Sequence, residues 1–197
     1  MRLFYDKKLT AFYDDIVLGG YYDYEKEVSV IRDIVAKRKT LLELGSGTGN
    51  LLIPLAKAGF KVAGIDNSPH MVKALYKKQK KLGISFPNTQ ADQRDLSLNK
   101  KFDVIVSSGG FIWFSIFDNK IFIQTYDPSF EGIVKTFKSA IRHLNDNGLL
   151  LINIQHHGEK FGLKMKNGMN YHFEIKWLSP TKVVKTHYVE NGGGDSF

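Results

Sequence analysis

The stretch Leu41-Leu-Glu-Leu-Gly-Ser-Gly-Thr-Gly-Asn50 sets three glycines at alternate positions directly behind a short apolar run that carries one acid. Glycine costs about 0.5–1 kcal/mol against alanine inside regular structure, so three within five residues mark a place where bare backbone is required. A strand that ends in such a loop and leads into a helix can bring a ligand against the main chain, because no Cβ intervenes. The first helical amides then offer unpaired donors and a partial positive charge. A tight structural turn would use glycines in the same way, so the loop takes its meaning from what surrounds it.

Its surroundings alternate. Val28, Ile31 and Val35 share a stripe with Ile34 beside it, which predicts an amphipathic helix over residues 24–37. Residues 40–44 read as a buried strand. Residues 50–58 read as a helix, with Pro54 tolerable in its first turn and Gly59 closing it. A second strand covers 61–66. Ser68 as N-cap and Pro69 at the first helical position open a helix running to about Leu82. Strands are expected over 84–91 and 102–107, a helix over 130–144, and a fifth strand over 149–154 after Asn147-Gly148. Alternation of this kind implies an α/β fold: a doubly wound, mostly parallel sheet with helices on both faces and a ligand crevice at the strands' carboxyl ends.

Two segments break the rhythm. Met169, Tyr171, Phe173, Ile175 and Trp177 alternate with polar residues, Ser179-Pro180-Thr181 supplies a turn, and 182–190 reads as a return strand, so a C-terminal antiparallel hairpin is expected. Between the fourth strand and its helix, Phe111 to Phe130 carries Trp113, Phe114, Phe117, Phe122 and Tyr126. That length predicts a substrate lid, an oligomer contact or a satellite helix.

The 197 residues suit one domain, divided into an N-terminal helical lid (1–38), an α/β core (39–155) and a C-terminal hairpin and tail (156–197). With no cysteine, disulfides and thiolate metal sites are excluded. The N-terminal residues lack the apolar core of a secretory signal and no stretch approaches a membrane span, so a cytoplasmic protein without membrane contact is expected. The net charge of +8 would suit nucleic acid, but Lys73, Lys77, Lys78, Lys80 and Lys81 punctuate one expected helix and read as its solvated face.

Asp66 ends the second strand 21 residues after Gly45. A carboxylate there can accept from two ribose hydroxyls, each charge-assisted bond contributing about 1.5–3 kcal/mol. A dinucleotide site and an adenosyl site both remain, although the dinucleotide fingerprint wants glycine where this chain has Asn50. At this point the chain resembles the class I S-adenosylmethionine-dependent methyltransferases, a Rossmann-like family. Glu43-Leu-Gly-Ser-Gly-Thr-Gly is similar to their first motif, Asp66-Asn-Ser-Pro-His-Met to their second, Ala91-Asp-Gln-Arg-Asp to the segment that meets the adenine, and Phe102-Asp-Val-Ile-Val-Ser-Ser to the fourth strand facing the methyl donor. The resemblance spans about residues 24–154.

It implies S-adenosyl-L-methionine as methyl donor, S-adenosyl-L-homocysteine as product, and no metal. Its implied donor-binding residues are Tyr21, Glu43, Gly45, Ser46, Gly47, Asp66, Asn67, Met71, Asp92, Gln93, Ser107 and Ser108. Tyr13-Asp14 and Leu18-Gly-Gly-Tyr-Tyr-Asp-Tyr-Glu resemble the small-molecule branch, in particular the aminosugar N-methyltransferases, with Gly20 where those enzymes carry an arginine. Only 14 residues separate Ile154 from Met169, too few for the family's usual final helix and strands, so the hairpin replaces them or the sheet edge is bare and open to a homodimer.

Methyl transfer from a sulfonium is an in-line displacement that asks for alignment and exclusion of water. Tyr21, Tyr22, Tyr24, Phe111, Trp113 and Phe114 are candidates for an aromatic enclosure of the cation. His156 and His157, just past the fifth strand, are the candidate bases, while His143 reads as structural. The competing readings are an RNA methyltransferase and a cofactor-binding protein without turnover. Ser107-Ser-Gly-Gly110 stands where enzymes acting on base amines carry proline-proline-aromatic, which speaks against base amines.

Overall fold

The computed structural model describes residues 5–35, 37–109, 112–117, 120–125, 127, 129–156, 160–180 and 182–190. Strands β1 (Thr40–Leu44), β2 (Lys61–Asp66), β3 (Asn88–Gln90), β4 (Phe102–Ser107) and β7 (Leu144–Ile152) form a parallel sheet in the order β3-β2-β1-β4-β7. Alternate residues of β1 serve opposite faces. Leu41 joins Val62, Val104 and Val106 beneath α2 (Tyr24–Val35), α3 (Leu52–Lys57) and α4 (Pro69–Leu82). Leu42 and Leu44 join Ala63, Ile65 and Ile105 against α5 (Phe130–Arg142). Side chains such as Leu41, Leu55 and Leu75 are wholly buried, each contributing about 1.5–3 kcal/mol relative to exposure.

Helix boundaries follow local chemistry. The Ser68 hydroxyl accepts from Met71 N at 3.4 Å, Pro69 occupies the first turn of α4, and Gly83 ends it in the left-handed region. Ser129 caps α5 by accepting from Gly132 N at 3.0 Å. At the amino ends of the strands, Asp103 accepts from Lys39 N, Thr40 N and Thr40 Oγ1 and from Asn145 Nδ2, which latches β4 to β1 and to the start of β7.

Three sequence expectations change. The third strand shrinks from 84–91 to Asn88–Gln90. The fifth starts at Leu144, because Phe102 pairs with Leu144 before the register jumps to Val104 with Leu149; the intervening turn places Asn147 at φ 60°. The aromatic segment after β4 is a hairpin, with β5 (Ile112–Phe117) and β6 (Lys120–Thr125) closing at the Phe117–Lys120 pair. β-Branched and aromatic residues dominate both strands and favour that outcome over a satellite helix. A short β8 (Ile154–His156) continues the chain after β7 but pairs in parallel with β5, outside the main sheet.

The expected C-terminal hairpin is present as β10 (Asn170–Ser179) and β11 (Lys182–Glu190), and β9 (Lys160–Lys164) extends it to the order β11-β10-β9. Its inward face, Tyr171, Phe173 and Val189, packs with Ile16 and Met165, and with Leu9 and Phe12 of α1 (Lys7–Ile16).

Candidate functional site

At the carboxyl ends of β1 and β2 the glycine loop folds back over β2. Gly45, Gly47 and Gly49 adopt φ 77°, 52° and 79°. Gly45 N and Ser46 N both donate to Ile65 O, at 2.9 and 2.8 Å, Gly47 N donates to Asp66 Oδ2 at 2.8 Å, and Gly49 N to Ser46 O at 2.9 Å. The loop amides beside Gly45 are therefore already paired, and the bare backbone there serves the close return of the loop over β2. The loop turns its first amides toward the end of β2, where leaving them unpaired would cost the full desolvation of each group. Asp66 also accepts from Ser68 N at 2.8 Å, so one carboxylate holds the loop to the start of α4. Each of its oxygens keeps acceptor capacity beyond these bonds. Burial raises the Asp66 pKa, against the two amides that favour the anion.

Asp66 belongs to a group of acids of which Glu43 is buried and Glu27 half-buried. Glu43 is 3 % exposed and its Oε2 has no hydrogen-bond partner among the described residues. Burial, followed by the charges of Glu27 and Asp66, pushes its carboxyl well above the ordinary value. Glu27, from α2, is likewise raised by burial, with the Ser108 hydroxyl beside it favouring the anion. The Ser108 Oγ is buried without a well-formed hydrogen bond among the described residues. Tyr24 completes the cluster: burial first, then Tyr22, Glu43 and Glu27, hold its phenol protonated, against a hydrogen bond with Tyr13.

The N-terminal helix straps this site. Asp14 Oδ1 accepts from Thr48 Oγ1 at 2.5 Å and Asn50 Nδ2 at 3.0 Å, and Asp14 Oδ2 pairs with Lys78 at 2.6 Å. Lys78 also donates to Asn50 at 2.8 Å, so it turns inward and corrects its assignment to the solvated lysine face. Ser68 Oγ donates to Tyr5 O at 2.7 Å, and the Tyr13 ring lies 3.7 Å from where a Cβ on Gly47 would stand.

The remaining expected site residues fall in several places. Met71 is fully buried in the first turn of α4, Ser107 is fully buried at the end of β4, and Asn67 is exposed. Asp92 and Gln93 sit at the short 3-10 turn after β3, but the Arg94 guanidinium grips Asp92 and reaches Asp127 at 3.3 Å. Tyr21 packs against the C-terminal sheet. Its ring meets Phe161, Tyr171 and Phe173 edge-on, and Lys185 Nζ donates to its hydroxyl at 2.6 Å. Tyr22 packs between Tyr21 and Tyr24, and so links the C-terminal sheet to the acid cluster. His157 and Phe111 lie outside the described residues, as do the side chains of His156, Trp113 and Phe114. His143 is buried and structural: Nδ1 donates to Ser139 O at 2.7 Å and Nε2 accepts from Leu98 N at 3.1 Å.

Sequence reasoning missed Glu27, and it drew no role from Asp14. A glutamate bordering the apolar stripe of α2, four residues before Ile31, is the one available signal for Glu27. Nothing in spacing links Asp14 to Thr48.

Among the described residues no three His, Cys, Asp or Glu side chains gather as metal ligands. Residues 41–127 match the methyltransferase domain family. A dTDP-3-amino-3,4,6-trideoxy-alpha-D-glucopyranose N,N-dimethyltransferase of Streptomyces venezuelae is 33 % identical over 144 residues, 71 % of this chain and 54 % of that protein. A carboxy-S-adenosyl-L-methionine synthase of Nitratiruptor is 30 % identical over 98 residues, 46 % and 41 % of the two chains. The chain spans about half the length of the curated relatives it matches. In fold, the crystal structure of Streptomyces venezuelae DesVI superposes with a TM-score of 0.70 at 21 % identity, over 98 % of this chain and 81 % of that one.

Proposed function

We propose, for a chain that belongs to the class I S-adenosylmethionine-dependent methyltransferases, that the site transfers a methyl group to a nitrogen or oxygen of a small acceptor such as an aminosugar nucleotide. The observation that carries the reading is the buried Glu43 carboxyl with an unpartnered oxygen, next to the glycine loop and Asp66. Burial and the neighbouring acids favour the neutral form of that carboxyl, and a ligand ammonium would supply the partner that favours its anion. Glu43 would hold the methionine ammonium and Asp66 the ribose hydroxyls, while Tyr13 and Met71 bound the crevice. When bound, S-adenosylmethionine supplies a methyl carbon that bonds to the acceptor atom as its bond to sulfur breaks and the electron pair stays on sulfur. The strap through Asp14, Thr48, Asn50 and Lys78 keeps α1 over the loop and excludes water.

The test has two arms. Calorimetry with S-adenosylhomocysteine is expected to show binding to the native chain and at least tenfold weaker binding to Asp66→Ala, about 1.4 kcal/mol. Methyl-labelled S-adenosylmethionine, offered with a panel of aminosugar nucleotides and hydroxylated analogues, is expected to pass label to a small acceptor. Absence of homocysteine-product binding refutes the donor site. Label passed only to RNA refutes the acceptor class.

A further inference from the structure

The inward face of the C-terminal sheet carries ionisable groups that the donor site does not use. Directly opposed residues of β10 and β11 point to the same side, so Phe173 with His187, Ile175 with Lys185 and Trp177 with Val183 form successive rows of one face. At one end of that face Tyr171 and Val189 pack with Ile16, the last residue of α1. At the other end Trp177 meets Phe122 of β6, with ring centroids 5.4 Å apart. Lys185 therefore stands between the N-terminal helix and the aromatic hairpin. Its Nζ donates to the Tyr21 hydroxyl at 2.6 Å and lies 3.9 Å from the Phe173 ring centroid and 5.1 Å from that of Tyr21. The ion pairs among the described residues do not include it. His187, in the neighbouring row, shares a hydrogen bond of 2.8 Å between its Nδ1 and the Tyr171 hydroxyl. Burial, then the Lys185 charge, lower the His187 pKa to about 4, so it is neutral near pH 7. These rows gather an amine, an imidazole and phenols, and they contain no carboxylate.

We propose that Lys185 recognises an anionic group of the acceptor, a phosphoryl or a carboxylate, and so selects acidic acceptors over neutral ones. The inference rests on the reading above that the site serves a small acceptor, and it narrows that class. Three features support it. An ammonium has three N–H donors, of which the Tyr21 hydroxyl takes one, while the aromatic rings attract the cation without neutralising it. The side chain is half-buried, so an anion can reach it from solvent; burial lowers its pKa to about 8, and contact with an anion offsets that cost of holding the charge. The third feature is position. Tyr21 leads back to the donor crevice through Tyr22 and Tyr24, with ring separations of 5.0 and 5.5 Å, and Tyr24 hydrogen-bonds Tyr13, whose ring stands 3.7 Å from where a Cβ on Gly47 would lie. An acceptor anchored at Lys185 thus lies along the aromatic run that ends at the glycine loop. Charge-assisted hydrogen bonds are roughly twice as strong as neutral ones, which sets the direction of the preference.

The test is binding, using the full chain. Protein saturated with S-adenosylhomocysteine is titrated calorimetrically near pH 7 with glucose 1-phosphate, with glucuronate and with glucose, which share one ring and differ in the anion. The native chain is expected to bind one of the two anions at least about tenfold more tightly than glucose, and Lys185→Met to lose that difference, a change of about 1.4 kcal/mol. Preference for glucose 1-phosphate assigns a phosphoryl group, and preference for glucuronate a carboxylate. Lys185→Arg, which keeps the charge, is expected to retain part of the preference. At pH 8 the preferred anion should take up protons as Lys185 becomes fully charged, so the heat of binding to the native chain differs between buffers of different ionisation enthalpy. That difference should vanish in Lys185→Met, whereas a lysine that serves packing alone moves neither readout. A native chain that prefers neither anion to glucose overturns the inference, as does a preference that survives in Lys185→Met. If the native chain does not bind S-adenosylhomocysteine, the donor reading fails first. The same titrations on the free protein then decide Lys185 by the same comparison.

Discussion

Replacing Gly49 with alanine tests whether this glycine serves packing rather than ligand contact. A Cβ at position 49 would stand 2.3 Å from Leu75 Cδ1, 3.2 Å from Cδ2 and 3.3 Å from Cγ. Leu75 is wholly buried on α4, so it cannot swing into solvent to make room. Overpacking of this kind costs about 1–3 kcal/mol. The backbone at φ +79° adds about 1–2 kcal/mol for any residue with a Cβ, offset by about 0.4–1 kcal/mol of lost unfolded-state freedom. Gly59 is the control, because its φ is +91° but no atom lies within 4 Å of where its Cβ would stand. Gly49→Ala should therefore lose about 1–3 kcal/mol more than Gly59→Ala, read as a lower urea midpoint at unchanged slope. Leu75→Ala removes the clashing atoms. In that background Gly49→Ala should cost no more than Gly59→Ala, a coupling of about 1–3 kcal/mol. Equal losses at positions 49 and 59, or additivity in the double variant, would refute the packing argument.

Two further predictions concern pH. Asp103 takes four hydrogen bonds at the base of the sheet, led by those from Thr40, and these hold its pKa below the ordinary value. The stabilisation is present above the unfolded carboxylate pKa and disappears as pH falls through the folded one. Native and Asp103→Asn proteins should thus differ in urea midpoint near neutrality and converge in acid; a gap independent of pH would contradict this. Lys185 sits over the Phe173 ring at 3.9 Å, without a carboxylate partner among the described residues, and burial lowers its pKa to about 8. The unfolded chain binds the extra proton between that value and the ordinary 10.5, so native stability should rise with pH across this window and Lys185→Met should remove the rise. Parallel pH profiles would exclude burial as the cause.

Much of the central sheet was legible because each strand is a short run of β-branched or aliphatic residues closed by glycine, proline or a capping serine. β1, β2 and β4 fall at their expected positions. The segment after β4 was not, because aromatic residues serve a lid, a helix or a hairpin equally well until a partner strand is known. In the site, Glu43 and Asp66 follow from motif spacing along adjacent strands, since a parallel register fixes which residues reach the same edge. Tyr21 shows the limit. Its neighbours Tyr22 and Tyr24 point to an aromatic wall, yet which side of that wall it serves depends on a C-terminal sheet more than a hundred residues away.

Local periodicity, capping residues and the glycine spacing by themselves determined a parallel α/β core and the edge at which a ligand would sit, because those signals act over a few residues. The tertiary structure decided where the loop amides are spent, that Lys78 turns inward to Asp14, and that the half-buried Glu27 of α2 raises the buried Glu43 carboxyl of β1. Hydrogen-bond saturation and burial depend on groups brought together from distant segments, and no local pattern encodes them.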